Sequence, residues 1–389
     1  MASALTILVI YAVIWAVICV AWWAFKGERF GVTGLPFYLI YRTARLNDWI
    51  GKIAGWRPTF WKTIWNIGIV TGVGLMIYIF RLLVSNLLNL VIGSQQAVSV
   101  EPIVPVPGVG VTYETFPFLV LGISICLISH ELSHGIASLA ERIPLKSTGI
   151  FFGHVIVGGF VEPDEEKLNQ AKAASKLRVY AAGSYTNLIL GLVCIALIAN
   201  FAVTITPFYN IVPSGVTITS VAVNLPARSS GLQAGDTLTS INGTSISNIS
   251  DLRQYMARVS PGQVVDLQTQ RGMFPVKTAA DPSNSSHALI GIGLSNAINY
   301  VPKFSFLSSD LPASLLRAEN WAYIILTSVA FINMLPLFPF DGDKFLETVL
   351  SVFVPRGAKQ IRTIANGAAL GILALNVALS LLRFGFVRF

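Results

Sequence analysis

The chain has 389 residues, 53% of them hydrophobic and only 12% charged, with a formal net charge of +8. A soluble globular chain carries about 25% charged residues, so this composition excludes an ordinary soluble domain and points to several membrane spans. The basic residues sit in short loops between apolar runs and form no single patch, so no nucleic-acid partner is expected.

Six stretches are long and apolar enough to cross a bilayer of roughly 30 Å: about 3–25, 63–92, 116–139, 179–206, 317–340 and 362–383. The first is too long for a signal-peptide core and lacks both a basic n-region and a clear small-residue cleavage site, so it is read as a span. Cys19, Cys126 and Cys194 all lie in apolar runs without a CxxC partner, which gives neither a disulfide framework nor a cysteine metal site. Segment 26–62 carries seven Lys or Arg residues, segment 93–115 carries none, and segment 140–178 carries six. By the positive-inside rule the first and third of these loops are cytoplasmic and the N-terminus is outside. Alternation then puts 207–316 outside as well.

Midway along the third span stands "CLISHELSHGIASL", residues 126–139. Charged and imidazole side chains are costly inside a bilayer and mark function there. On a helix, positions i and i+4 share a face, so His130 and His134 can reach one ion with Glu131 beside it. This H-E-x-x-H arrangement suits two neutral imidazoles on zinc and a glutamate acting on water. A catalytic zinc usually takes three protein ligands. The fifth span ends "NMLPLFPFDGDKF", and Asp341 follows a proline-broken helix end with Gly342 behind it to allow a tight turn. Counted from outside, His130 lies about 14 residues into the third span, roughly 21 Å at 1.5 Å per residue. Asp341 lies at the inner end of the fifth, so topology brings the two to similar depth. Between the third and fourth spans, "STGIFFGHVIVGGFVEP" reads as a hairpin that could dip into the membrane only against protein. His154 within it is taken as structural or interfacial.

Together, "HELSHG" and "NMLPLFPFDG" resemble the site-2 protease family of intramembrane zinc metalloproteases, whose second motif is N-x-x-P-x-x-P-x-D-G. Asn333, Pro336, Pro339, Asp341 and Gly342 match it, while Phe340 stands where leucine is usual. The resemblance covers residues 116–345 and implies one zinc ion per chain on His130, His134 and Asp341, with Glu131 as catalytic general base and acid. It also makes Asn333 the best candidate for holding the oxyanion or positioning substrate. Asn187, in the small-residue run "AAGSYTNLILGL", is a weaker candidate for substrate binding, or else an interhelical hydrogen-bonding residue. Within the polar outer segment, "NLPARSSGLQAGDTLTSINGTSISNISDLRQYMARV" resembles a PDZ domain of bacterial and archaeal membrane proteases.

The expected architecture is an α-helical polytopic membrane protein of about six transmembrane helices, with a membrane-associated β-hairpin and one extramembrane PDZ-like α+β domain. Residues 1–115 supply N-terminal helices and loops, 116–206 the membrane core, 213–297 the PDZ domain, and 317–389 the C-terminal membrane helices. The expected function is zinc-dependent intramembrane endopeptidase activity in the plasma membrane of an archaeon or a bacterium, with the active site toward the cytoplasm and the PDZ domain outside. Expected partners are transmembrane protein substrates, the lipid bilayer and a peptide ligand of the PDZ domain. The alternative is a non-catalytic membrane zinc-binding PDZ adaptor, which would have no need of Glu131.

Overall fold

Residues 4–35, 38–107, 110–153 and 156–386 are described in the computed structural model of the protein. They form two compact units, Met1–Ala199 with Leu316–Phe389, and Asn200–Leu315.

Helix α1 (Ala4–Ala24) precedes two short strands, β1 (Val32–Leu35) and β2 (Tyr38–Arg42). Helix α2 (Ala44–Trp56) is capped by Thr43, whose hydroxyl accepts from the Arg45 N–H at 3.2 Å and satisfies a donor the helix leaves free. It buries Ile50 and Ala54, four residues apart on one face. Pro58 opens the 34-residue helix α3 (Pro58–Val91), where its missing N–H costs nothing. Next come α4 (Phe116–Ala140) and the antiparallel strands β3 (Leu145–Gly153) and β4 (Ile156–Pro163), with Thr148 opposite Val161. β2 pairs with the far side of β3, so the order is β1-β2-β3-β4 and β4 is an edge. Segment 26–62, expected as a basic loop, contains β1 and β2 as well as α2. At four and five residues the two strands are too short for a period-2 pattern to stand out. Helix α5 (Glu165–Gln170), capped by the Asp164 side chain on the Lys167 N–H, leads into α6 (Ala173–Ala199).

The second unit runs through α7 (Phe201–Ile205), β5 (Tyr209–Val221), α8 (Pro226–Ser229), β6 (Thr237–Ile241), β7 (Thr244–Ser245), α9 (Ile249–Met256), β8 (Val264–Thr269), β9 (Gly272–Lys277), β10 (Ala279–Asp281), β11 (Asn284–Leu289) and β12 (Ile292–Pro302). Its main sheet has the order β12-β5-β6-β8-β9, with β7 on β6. Alternation along β8 turns Val265 and Leu267 into a core shared with Val216, Ile218, Leu238, Ile241 and Leu252. Asp236, 2% exposed before β6, is held by Arg271 through Nε at 2.5 Å and Nη2 at 2.6 Å.

Helices α10 (Leu311–Ile332), α11 (Asp341–Phe353) and α12 (Ala358–Phe384) complete the chain. The expected span at 317–340 is corrected here: α10 begins six residues earlier and ends at Ile332, and 333–340 is not a regular helix. Pro336 and Pro339 have no N–H to continue the ladder, and the residue before a proline is pushed out of helical geometry. Asp341 thus starts a separate helix instead of ending a long one. Among the described residues, α3, α4, α6, α10 and α12 are long and apolar enough to cross a membrane; the apolar part Ala12–Ala24 of α1 is shorter. α3 and α12 are joined by a buried hydrogen bond from Asn86 Nδ2 to Asn376 Oδ1 at 3.0 Å, a polar contact suited to helices in lipid.

Candidate metal centre

His130 and His134 stand one turn apart on α4, both 9% exposed. Their Nε2 atoms are 3.1 Å apart. Asp341 brings its Oδ2 to 3.2 Å from His130 Nε2 and 3.1 Å from His134 Nε2. Among the described residues, these three form the group of His, Cys, Asp and Glu side chains that could hold a metal ion. For a tetrahedral zinc with ligands at about 2.0–2.1 Å, neighbouring donor atoms lie about 3.3 Å apart. The edges of the observed triangle are within a few tenths of an ångström of that separation.

The protonation pattern also fits a metal. His134 Nδ1 lies 2.7 Å from the Val179 carbonyl of α6. A carbonyl can only accept, so Nδ1 carries the proton and Nε2 keeps its lone pair facing the cluster. His130 Nδ1 lies 3.2 Å from Asn187 Nδ2, an amide donor that contacts the ring from the side away from the cluster. Asn187 is fully buried, and its Oδ1 accepts from Ser129 Oγ at 3.0 Å. This placement, enclosed between α4 and α6 and bonded to both Ser129 and His130, agrees with the interhelical hydrogen-bonding alternative read for Asn187. Gly183 of α6 makes the close approach possible. A Cβ there would fall 2.4 Å from His130 Cε1 and 2.5 Å from Nε2.

The Asn333–Asp341 segment is closed by its own main chain. The Gly342 N–H donates to the Asn333 carbonyl at 2.9 Å, which sets Asn333 Nδ2 2.6 Å from Asp341 Oδ2 and 3.1 Å from His130 Nε2. Gly342 is not among the left-handed glycines; its need is space, since a Cβ would lie 2.2 Å from the Leu335 carbonyl oxygen. Glu131, next to His130, accepts on Oε2 from the Val161 N–H of the β4 edge at 3.2 Å. The cluster, Glu131, Asn333, Val161, Tyr180 and Lys146 line one cleft of about 540 Å³. His154 lies outside the described residues.

The sequence reading missed Val179, Gly183 and Ser129. Gly183 and Asn187 lay within a run of small and polar residues noted in an apolar helix, a signal for close helix packing. A backbone carbonyl such as that of Val179 leaves no trace in side-chain identity.

Helices long and apolar enough to cross a membrane, with a His–His–Asp cluster and a glutamate lining one cleft, have the make-up of a membrane metallohydrolase. The model of Peptidase family M50 matches residues 118–375, well over half of the sequence, and the chain belongs to that family, the site-2 proteases. It is similar to an uncharacterised protein of Methanocaldococcus jannaschii, 24% identical over 327 residues, covering 82% of this chain and 81% of that one. The membrane-bound transcription factor site-2 protease homolog of Arabidopsis thaliana is 26% identical over 152 residues, 39% of this chain and 29% of that one. A Clostridium perfringens protein with zinc metalloprotease in its name is 24% identical over 208 residues, 46% of this chain and 58% of that one. The matches thus span less than two thirds of these last two relatives. Among solved structures, the PDZ domain of an SdrC-like protein from Listeria monocytogenes is 28% identical with a TM-score of 0.19, covering 21% of this chain and 87% of that one.

Proposed function

We propose that the chain is an intramembrane zinc endopeptidase that hydrolyses peptide bonds of transmembrane substrates. His130, His134 and Asp341 are the residues that would hold one zinc ion per chain. The observation that carries this proposal is the triangle of donor atoms with edges of 3.1, 3.1 and 3.2 Å, its histidine tautomer fixed from behind. When bound, zinc supplies Lewis acidity that brings the pKa of a water from about 15.7 toward about 7. Glu131 is the general base and acid: it takes the proton of the attacking water and passes it to the leaving amine. Asn333 is the catalytic partner, its amide at the cluster edge holding the oxyanion that develops on the scissile carbonyl.

A helical substrate hides its peptide bonds in its own hydrogen bonds and must unwind before it is cut. β4 is the last strand of its sheet, and apart from the Val161 N–H already bonded to Glu131 its edge offers main-chain groups on which an unwound segment can pair as an added strand. We assign β3 and β4 a membrane-associated position on this basis, with the active site toward the cytoplasm. The PDZ-like unit lies outside and binds peptide ends of substrates.

Glu131→Gln tests the proposal. The variant keeps size and hydrogen bonding but cannot take a proton, so it should retain zinc while turnover of a membrane-spanning peptide falls at least roughly 10²–10⁴-fold. Equal turnover at equal zinc content would leave the zinc-binding adaptor as the better description.

A further inference from the structure

The segment that carries Asn333 and Asp341 accounts for most of its own backbone donors. Asn333, Met334, Leu335, Leu337, Phe340, Gly342 and Asp343 all donate to carbonyls between Val329 and Phe340. Pro336 and Pro339 have no N–H. The Phe338 N–H is different: it donates at 2.8 Å to the side-chain oxygen of Asn366, on α12. The Asn366 Nδ2 in turn donates to Asp343 Oδ1 at 2.9 Å. One turn earlier on α12, Arg362 grips the same carboxylate, with Nε 2.7 Å from Oδ1 and Nη2 2.6 Å from Oδ2. Asp343 is 1% exposed and the Arg362 side chain, 27% exposed, closes over it, so the fork-to-fork pair fixes the carboxylate through two charge-assisted hydrogen bonds.

Arg362 and Asn366 therefore grip the segment on both sides of Asp341, three residues before it and two after. We propose that these two residues of α12 are positioning residues for the metal centre: they fix the Asp341 carboxylate, and Asn333 beside it, at the height of His130 and His134. The proposal rests on Asp341 being a zinc ligand. The cluster itself supplies no such restraint, because Asp341 and Asn333 are tied mainly to each other and to the two histidines. Outer partners of metal ligands commonly change metal affinity or activity by roughly 10–100-fold when removed.

The test uses the full-length purified protein and two variants. Asn366→Leu removes the bonds to Phe338 and Asp343 while leaving the ion pair in place. Asp343→Leu with Arg362→Met removes the ion pair without leaving a buried charge behind, since an apolar pair of similar volume is often tolerated. The readouts are the zinc dissociation constant by chelator competition and the visible absorption spectrum of the cobalt(II)-loaded protein, which reports ligand geometry and not folding alone. Both variants should bind zinc roughly tenfold to a hundredfold more weakly and show an altered cobalt spectrum, with helical content unchanged. If the double variant does not fold, Asn366→Leu decides alone. Wild-type zinc affinity and a wild-type cobalt spectrum in Asn366→Leu, with metal lost in Asp341→Ala, would overturn the clamp and leave the ligand assignment standing. Full zinc binding in Asp341→Ala would overturn the ligand assignment and the clamp with it.

Discussion

At the scale of single residues, the metal centre depends on how closely α6 can approach α4. Gly183→Ala places a methyl about where the His130 ring now lies, with contacts of 2.4–2.6 Å that no real Cβ tolerates. Either the ring or the helix must move, and overpacking of this kind costs about 1–3 kcal/mol. The expected outcome is a lower melting temperature together with a clear loss of zinc per chain after desalting. Asn187 makes a sharper case, because its burial separates two roles. Asn187→Leu removes the brace on His130, so zinc should bind roughly tenfold or more weakly, while KM for substrate at saturating zinc stays near wild type. A raised KM at unchanged zinc affinity would return Asn187 to the substrate side of the cleft.

At the scale of elements, the β6–β8–β9 part of the second unit is pinned by one ion pair. The Arg271 guanidinium, bonded to both oxygens of Asp236, holds that carboxyl below the usual carboxylate range, helped by the Gln233 N–H. A carboxyl with a depressed folded value stabilises the fold fully above its unfolded value of about 3.9, and that contribution is lost as pH falls through the folded value. Backbone protection in Thr237–Ile241 and Val264–Thr269, measured by hydrogen exchange corrected for intrinsic rates, should therefore drop below about pH 4 in the wild type. Asp236→Asn should lose protection already at neutral pH and show a flatter dependence. Unchanged protection in Asp236→Asn would mean that the apolar core alone holds these strands.

At the scale of the whole molecule, no member of the metal cluster comes from the second unit. β5 and β12 are paired from Val221 opposite Ile292 down to Tyr209 opposite Pro302. Replacing 213–297 by a short Gly/Ser bridge would leave the lowest rungs, including Val212 opposite Asn299, to close the chain. Zinc should remain bound, and cleavage of short membrane substrates should survive in part with altered discrimination between substrates. Complete loss of metal from a folded deletion protein would move a ligand into the second unit. The proposed orientation makes a further demand. Cysteines at the exposed positions Ser250 and Lys172 should react from opposite sides of the membrane, Ser250 from outside. Reaction of both from one side would undo the common depth of His130 and Asp341.

What the sequence determined by itself are features encoded within a few residues of one another. Apolar runs of twenty or more residues report burial in lipid whatever they pack against. H-E-x-x-H puts two imidazoles on one helical face because four residues make about one turn. Pro336 and Pro339 break a helix through a ring that lacks an N–H. Even there the local signal reached only so far: it carried the span to about residue 340, just before Asp341, while the helix ends at Ile332. Only the tertiary structure decided what meets across long separations. His130 and Asp341 are 211 positions apart, and Asn86 and Asn376 are 290. The Val179 carbonyl that fixes the His134 tautomer, the space at Gly183, the burial of Asn187 and the grip of Arg362 and Asn366 on the Asp341 segment all depend on which helices lie side by side. Residue type limits the contacts a side chain can make, but packing selects the partner, and the metal centre is assembled from partners.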